Sequence, residues 1–192
     1  MGGFKNIKKM NYIIVDLEAT CLENRDNSPN EIIEIGAVCI NEKQDIIGEF
    51  NRFVRPSIHP ILSDFCINLT SISQEQVNNS NTFPLVLAEF KEWINSFLDD
   101  YLLCSWGFYD QVQLKNDCQL HGLDIDWLYN HISLKHQYAI IKKTRSMGMK
   151  NALKNEKLIL EGTHHRGIDD AKNIAKIFCK LFNKWNFSKR RE

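Results

Sequence analysis

The 192 residues contain no Cys-x-x-Cys pair; Cys21, Cys39, Cys66, Cys104, Cys118 and Cys179 stand singly. Neither zinc-ligand spacing nor a base adjacent to a cysteine nucleophile is visible, and a thiol inside an apolar run behaves as a small hydrophobe, so the six are read as reduced core residues. No stretch is apolar for long enough to span a membrane, and the opening MGGFKNIKKMN is basic and polar, without the apolar segment of a signal peptide. Asn6 stands where a myristoylated Gly2 would require Ser or Thr. A cytoplasmic chain with no membrane association is expected. Charge of one sign is also missing: 24 Lys and Arg face 24 Asp and Glu, so net charge says nothing about a polyanionic partner. Basic residues do cluster locally, at Lys135, Lys142, Lys143, Arg145, Lys150, Lys154 and Lys157, and at Lys189–Arg191. Such a run fits a solvated helix face as well as a phosphate-tracking surface. Repeats, low-complexity tracts and interdomain linkers are absent, and the length suits one domain with its own core.

What is present is a strong alternation of patterns. Tyr12–Ala19, Glu31–Ile40 and Ile46–Val54 are rich in β-branched residues, with turn residues at 41–45, and predict three strands, antiparallel, at the start. Helices are expected between Ser63 and Phe97, the clearest from Pro84 to Leu98 with Leu85, Ala88, Phe90, Trp93, Ile94 and Phe97 along one side. A strand follows at Tyr101–Trp106, then a helix from near Asp110 with Val112, Leu114, Cys118 and Leu120 facing inward, ending near Gly122. Short helices are read at 125–129, 134–142 and 149–155, and a long one from Asp169 to Lys184. The fold class is α/β, a mixed sheet with a three-strand antiparallel start, flanked by helices. Its bounds are 12–184, with an N-terminal tail at 1–11 and a basic C-terminal tail at 185–192.

Three acidic clusters could carry chemistry. In Val15-Asp16-Leu17-Glu18 the period of two puts both carboxylates on one strand face. Two like charges among apolar residues raise one another's pKa unless a cation or protons neutralise them; a frayed strand end with both groups in water fits the spacing too. Asp110 follows a strand and a Gly107 turn, where capping the next helix is the simpler role. In His164-His165-Arg166-Gly167-Ile168-Asp169-Asp170, the apolar stripe through Ala171, Ile174, Ala175, Phe178, Leu181 and Phe182 turns Asp170 inward. Asp169 leads a polar stripe and suits the helix dipole. An inward carboxylate must be paired or bound to metal. Together these clusters hold the inventory of a two-metal phosphodiesterase: four carboxylates for two hard cations, Mg²⁺ or Mn²⁺, and a histidine whose pKa of about 6.5 suits a general base.

The ordered motifs VDLEATC (15–21), EIIEIGAV (31–38), SDFCINLTSIS (63–73), TFP (82–84), WGFYD (106–110) and HHRGIDDAKNIAKI (164–177) resemble those of the DEDDh 3′–5′ exonucleases, a ribonuclease H-like family. The likeness runs from Tyr12 to Phe182. Within the family the chain is most similar to the subgroup of animal histone-mRNA and small-RNA (ERI-type) exonucleases and the bacterial KapD proteins, linked to sporulation inhibition. The resemblance implies Asp16, Glu18, Asp110 and Asp170 as metal-site acids and His165 as general base, with His164 left as a loop-ordering or substrate-contacting residue. It further implies a pocket for the terminal base built with Leu17, Ala19 and Phe65. Tyr109 stands where the animal members carry tryptophan; it can still stack on a base.

The implied activity is metal-dependent removal of nucleoside 5′-monophosphates from single-stranded 3′ ends, RNA ahead of DNA. Two alternatives stay open on sequence alone. One is a proofreading-type or RNase H-like endonuclease; the other is a regulatory protein-binding module on the same fold.

Overall fold

The computed structural model describes residues 9–23 and 29–187. Most of the expected N-terminal tail and the basic Lys189–Arg191 cluster lie outside the described residues. Three strands open the chain: β1 (Met10–Ala19), β2 (Ile32–Ile40) and β3 (Ile46–Phe53), joined antiparallel in that order. Helices α1 (Asp64–Thr70), α2 (Gln74–Asn78) and α3 (Phe83–Asn95) follow, then β4 (Asp100–Ser105) and α4 (Tyr109–Leu120). The chain continues through β5 (His131–Ser133), α5 (Leu134–Lys142), α6 (Met149–Asn155) and α7 (Gly167–Lys180). The sheet order is β3-β2-β1-β4-β5, with β4 parallel to both β1 and β5.

Alternation along β1 divides the core into two layers. Tyr12 and Ile14 face α5, α6 and α7 together with Val38, Leu102, Cys104, Tyr138, Leu153, Ile174 and Phe178. Ile13, Val15 and Leu17 face α3 and α4 together with Ala37, Phe50, Phe90, Ile94, Leu114 and Cys118. Helix α7 can lie directly on the sheet because Gly36 and Gly167 meet without side chains: a Cβ built on Gly36 would fall 2.1 Å from the Gly167 carbonyl carbon.

The expected mixed α/β sheet and its antiparallel start are what the structure contains. Some boundaries and facings differ, for physical reasons. In α4 the inward face is Gln113, Leu114, Asp117 and Cys118, while Val112 and Leu120 are exposed. This helix docks on the open end of β2, where its polar groups are needed: Asp117 accepts from the Ile32 N–H at 3.0 Å and Gln113 donates to the Asn30 carbonyl at 2.8 Å. Leu85 of α3 is likewise exposed, the buried stripe being Phe83, Val86, Leu87, Phe90 and Ile94. The last α-helix starts at Gly167 and stops at Lys180, followed by a separate 3-10 turn at Phe182–Lys184. Packing also continues past 184. Trp185 is buried, its indole donating to the Phe178 carbonyl at 2.8 Å, and the Phe187 ring lies 4.7 Å from that of Tyr12. The free cysteines Cys39, Cys66, Cys104 and Cys118 are buried, as core thiols should be. Among the described residues no helix is long and apolar enough to cross a membrane.

Candidate active site

Parallel pairing between β1 and β4 ends at Ile14 with Cys104. Beyond that point the strands part, and α4 starts at the mouth of the gap, so a crevice opens at the carboxyl ends of two parallel strands where the connections diverge in opposite directions. Open α/β sheets bind ligands in such crevices. Asp16 and Glu18 stand on its β1 wall, on the same side as Tyr12 and Ile14, as period two requires. From α4, Asp110 reaches in from the first turn; its Oδ1 accepts from the Leu17 N–H at 3.2 Å. Asp110 does not cap α4, whose N-cap position is Phe108. From α7, Asp170 points inward one turn before Ile174, and Asp169 turns away to accept from the Thr163 N–H at 2.8 Å, tying down the preceding loop.

These four carboxylates line one cavity of about 550 Å³, shared with Leu17, Trp106, Tyr109, Lys135, Lys150, Asn151, His164 and His165. Asp16, Glu18 and Asp170 offer ligand oxygens within 4.8 Å of one another, and His164, His165 and Asp170 form a second such group. A larger cleft of about 690 Å³ at the opposite end of β1, around Met10, Asp99 and Asp100, holds no such group among the described residues.

The electrostatics are those of a cluster of acids that repel one another. Glu18, Asp110 and Asp170 are 8%, 5% and 4% exposed, so water does little to screen them. Burial pushes Glu18 up to about 8, assisted by the charges of Asp170, Glu34 and Asp110. Asp16 is raised well above the usual carboxylate range by burial and then by Asp110, Glu18, Asp170 and Glu34. Asp110 is raised to about 6, again by burial, with the hydrogen bond from the Leu17 N–H pulling the other way. Hard oxygen donors that repel one another fit a divalent cation of the Mg²⁺ or Mn²⁺ type, which would relieve all of these shifts together.

The two histidines are placed differently. His164 Nδ1 lies 2.9 and 3.1 Å from the two Asp170 carboxylate oxygens. The His165 backbone N–H donates to Asp170 Oδ2 at 3.0 Å, and its ring stacks on His164 at 4.0 Å. His165 holds a left-handed backbone, φ 66°, which for a residue with a side chain costs about 1–3 kcal/mol and turns its ring into the crevice. Burial, His164 and Lys150 depress its pKa against the opposing pull of Asp170, which favours the neutral ring with a lone pair to offer.

Of the residues expected to hold a terminal base, Leu17 and Tyr109 line the cavity, Tyr109 being 53% exposed there. Ala19 and Phe65 are not among its walls. Ala19 is buried, its carbonyl facing Cys66 Sγ, and Phe65 is an exposed residue of α1. Sequence reasoning passed over Trp106, Lys135, Lys150 and Asn151 as site residues. Trp106 stands in the WGFYD motif, while Lys135 and Lys150 are visible only as members of a basic run and Asn151 carries no signal of its own.

A family model described as Exonuclease, of the RNase T type, matches residues 13–178. The chain belongs to that exonuclease family. Over 178 residues it is 36% identical to human 3′-5′ exoribonuclease 1, covering 88% of this chain and 51% of that protein. It is 31% identical to Xenopus laevis ERI1 exoribonuclease 2, covering 88% of this chain and 28% of the relative. The chain thus spans about half, or less, of these relatives' length. Among solved structures, the nuclease domain of 3′hExo, a DEDDh family member bound to rAMP, superposes with a TM-score of 0.87 at 32% identity, covering 93% of this chain and 94% of that one. The fold is therefore the RNase H-like exonuclease fold.

Proposed function

We propose that this chain is a metal-dependent 3′–5′ exonuclease that releases nucleoside 5′-monophosphates from single-stranded 3′ ends, RNA in preference to DNA. The observation that carries the reading is the convergence of Asp16, Glu18, Asp110 and Asp170 with His165 on one crevice. The rAMP bound to the 3′hExo nuclease domain supports a ribonucleotide at the same place here.

Two divalent cations, Mg²⁺ or Mn²⁺, would supply the counter-charge for the phosphate oxygens and acidify the attacking water. The four acids would hold them. His165, neutral and aimed into the crevice, accepts the proton of the attacking water. His164 keeps the Asp170 carboxylate oriented through its Nδ1. Leu17 and Trp106 offer apolar surface to the last base, and Tyr109 an aromatic face, an interaction worth about 1–3 kcal/mol and tolerant of base identity. Lys135 and Lys150 line the rim with no ion pair among the described residues, leaving their charges for the phosphates of the incoming strand. In the reaction, water oxygen bonds to phosphorus while the bond from phosphorus to the preceding 3′ oxygen breaks. The shortened strand keeps a 3′ hydroxyl and the released nucleotide a 5′ phosphate.

Time-resolved digestion of matched 5′-labelled RNA and DNA oligonucleotides with Mg²⁺ or Mn²⁺ tests this. A descending ladder, faster on RNA and stopped by a 3′ block, is expected. A single internal cut, or cutting despite the block, would establish an endonuclease; no cutting at all would leave a protein-binding role for the fold.

A further inference from the structure

A fifth acid sits behind the site. Glu34 of β2 is directly opposite Glu18 in the antiparallel register and is 0% exposed. Both of its oxygens are already taken. Arg166 donates from Nε to Oε2 at 3.1 Å and from Nη2 to Oε1 at 3.2 Å, and the Gly167 N–H donates to Oε2 at 2.9 Å. Three donors already occupy its two oxygens, and it is absent from the groups of ligand atoms that converge in the crevice.

The partners of Glu34 lie at a decisive place. Gly167 is the first residue of α7 and Arg166 its N-cap, so the carboxylate grips the helix by its unsatisfied N-terminal amide and by the side chain just before it. The Arg166 carbonyl in turn accepts from the Asp170 N–H at 2.9 Å, and the residue on the other side of Arg166 is His165. The guanidinium carbon lies over the ring of Phe53, which pairs with Glu34 across β2 and β3, 5.0 Å from its centroid. One step along β2, Gly36 lets the Gly167 backbone settle onto the strand opposite Asp16. The segment that carries His164, His165 and Asp170 is therefore fastened to the sheet where α7 begins.

We infer that Glu34 and Arg166 are positioning residues, a buried clamp that fixes the start of α7 so that Asp170 and His165 meet Asp16 and Glu18 in register. The clamp acts through α7 and touches neither substrate nor metal. Asp170 and His165 reside on the only piece of the site that comes from the far end of the chain, and errors of an ångström in placing such groups cost large factors in rate. The inference rests on the nuclease reading of the crevice.

The test compares wild type with Glu34→Gln, Arg166→Lys and the double variant Glu34→Gln/Arg166→Gln. Each is measured by Mn²⁺ titration calorimetry, kcat and KM on a 5′-labelled oligonucleotide, and thermal unfolding. Glu34→Gln should bind Mn²⁺ at least tenfold more weakly and lose at least tenfold in kcat, with KM within threefold. The double variant should lose little more, because the two residues act as one unit. Arg166→Lys, which keeps the charge but not the fork, should show a smaller loss of at least threefold in both readouts, and it serves if Glu34→Gln does not fold. A lowered melting temperature with kcat and Mn²⁺ binding within twofold of wild type would reduce the clamp to a stabilising contact and overturn the inference. Asp16→Ala is the control for the reading beneath it: if wild type and Asp16→Ala bind Mn²⁺ equally, the metal-site assignment fails first.

Discussion

Two groups of acids in this molecule differ most in how their charge is compensated. Glu31, at the start of β2, accepts four hydrogen bonds: from Ser57 N–H at 2.6 Å, Ser57 Oγ at 2.7 Å, Ile58 N–H at 2.7 Å and His59 N–H at 2.8 Å. These donors outweigh the burial that pushes the other way and leave its carboxyl below the usual range. Glu156, held by Lys142 and Tyr138, is lowered in the same manner. Of the crevice acids, Glu18, Asp110 and Asp170 are buried and Asp16 is half-buried, and the charges of the others raise Asp16 and Glu18 further. Burial is thus common to structural and functional acids here; what separates them is whether the protein itself supplies the compensating charge or donors.

The sharpest way to break the comparison is to remove one acid from each group. Asp16→Ala should lower kcat/KM by about a thousandfold or more, ~4 kcal/mol of transition-state stabilisation. The same change should leave the metal-free fold as stable as wild type or more so, since it relieves repulsion. Glu31→Ala should do the reverse. It strands the amides of Ser57, Ile58 and His59 and should destabilise the fold by roughly 2–3 kcal/mol in urea unfolding, with kcat little changed under folding conditions. Equal effects on stability from the two changes would erase the distinction.

Proton linkage gives a gentler version of the same contrast. Glu18 and Asp110 have folded pKa values raised to about 8 and about 6, so their contribution to stability is complete below the unfolded value of about 4 and is lost as pH climbs through 6 and 8. Glu31 and Glu156 are lowered; their contribution is present above the unfolded value and is lost as pH falls below it. Metal-free protein should therefore melt earlier at pH 8.5 than at pH 6, roughly the range set by those linked groups. Saturating Mn²⁺ should raise the melting temperature by several degrees, more at high pH than at low. A metal effect independent of pH would count against the acids as its ligands. The smallest effect is expected at the rim, where Lys150→Ala should raise KM about three- to tenfold, ~1 kcal/mol, and flatten the salt dependence, with kcat unchanged.

The sequence showed much of this through periodicity. Alternation in β1 put Asp16 beside Glu18, and the stripe through Ile174 and Phe178 turned Asp170 inward and Asp169 outward, as the structure has them. Asp110 was different: its neighbours only suggest a helix start, and resemblance was needed to join it to the others. Glu34, in EIIEIGAV, carries only a strand signal in the sequence, because its meaning depends on Arg166, 132 residues away. The three-residue β5 is too short to leave a periodic trace. In α4 the apolar pattern misleads, since Gln113 and Asp117 face inward to satisfy the end of β2. Phe65 is drawn to the site by motif alone, and Trp106, which lines the cavity, carries no periodic signal of its own.

The strand order has a consequence for the birth of the protein. β1 sits in the middle of the sheet, yet its neighbours β2 and β4 and the helix that lies across it are made in succession, with Asp170 coming 154 positions after Asp16. On a ribosome adding about 5–20 residues per second, the first acids wait many seconds for the last. A chain still being synthesised holds Asp16 and Glu18 without Asp170, so on the nuclease reading its metal site stays incomplete until residue 170 has been added.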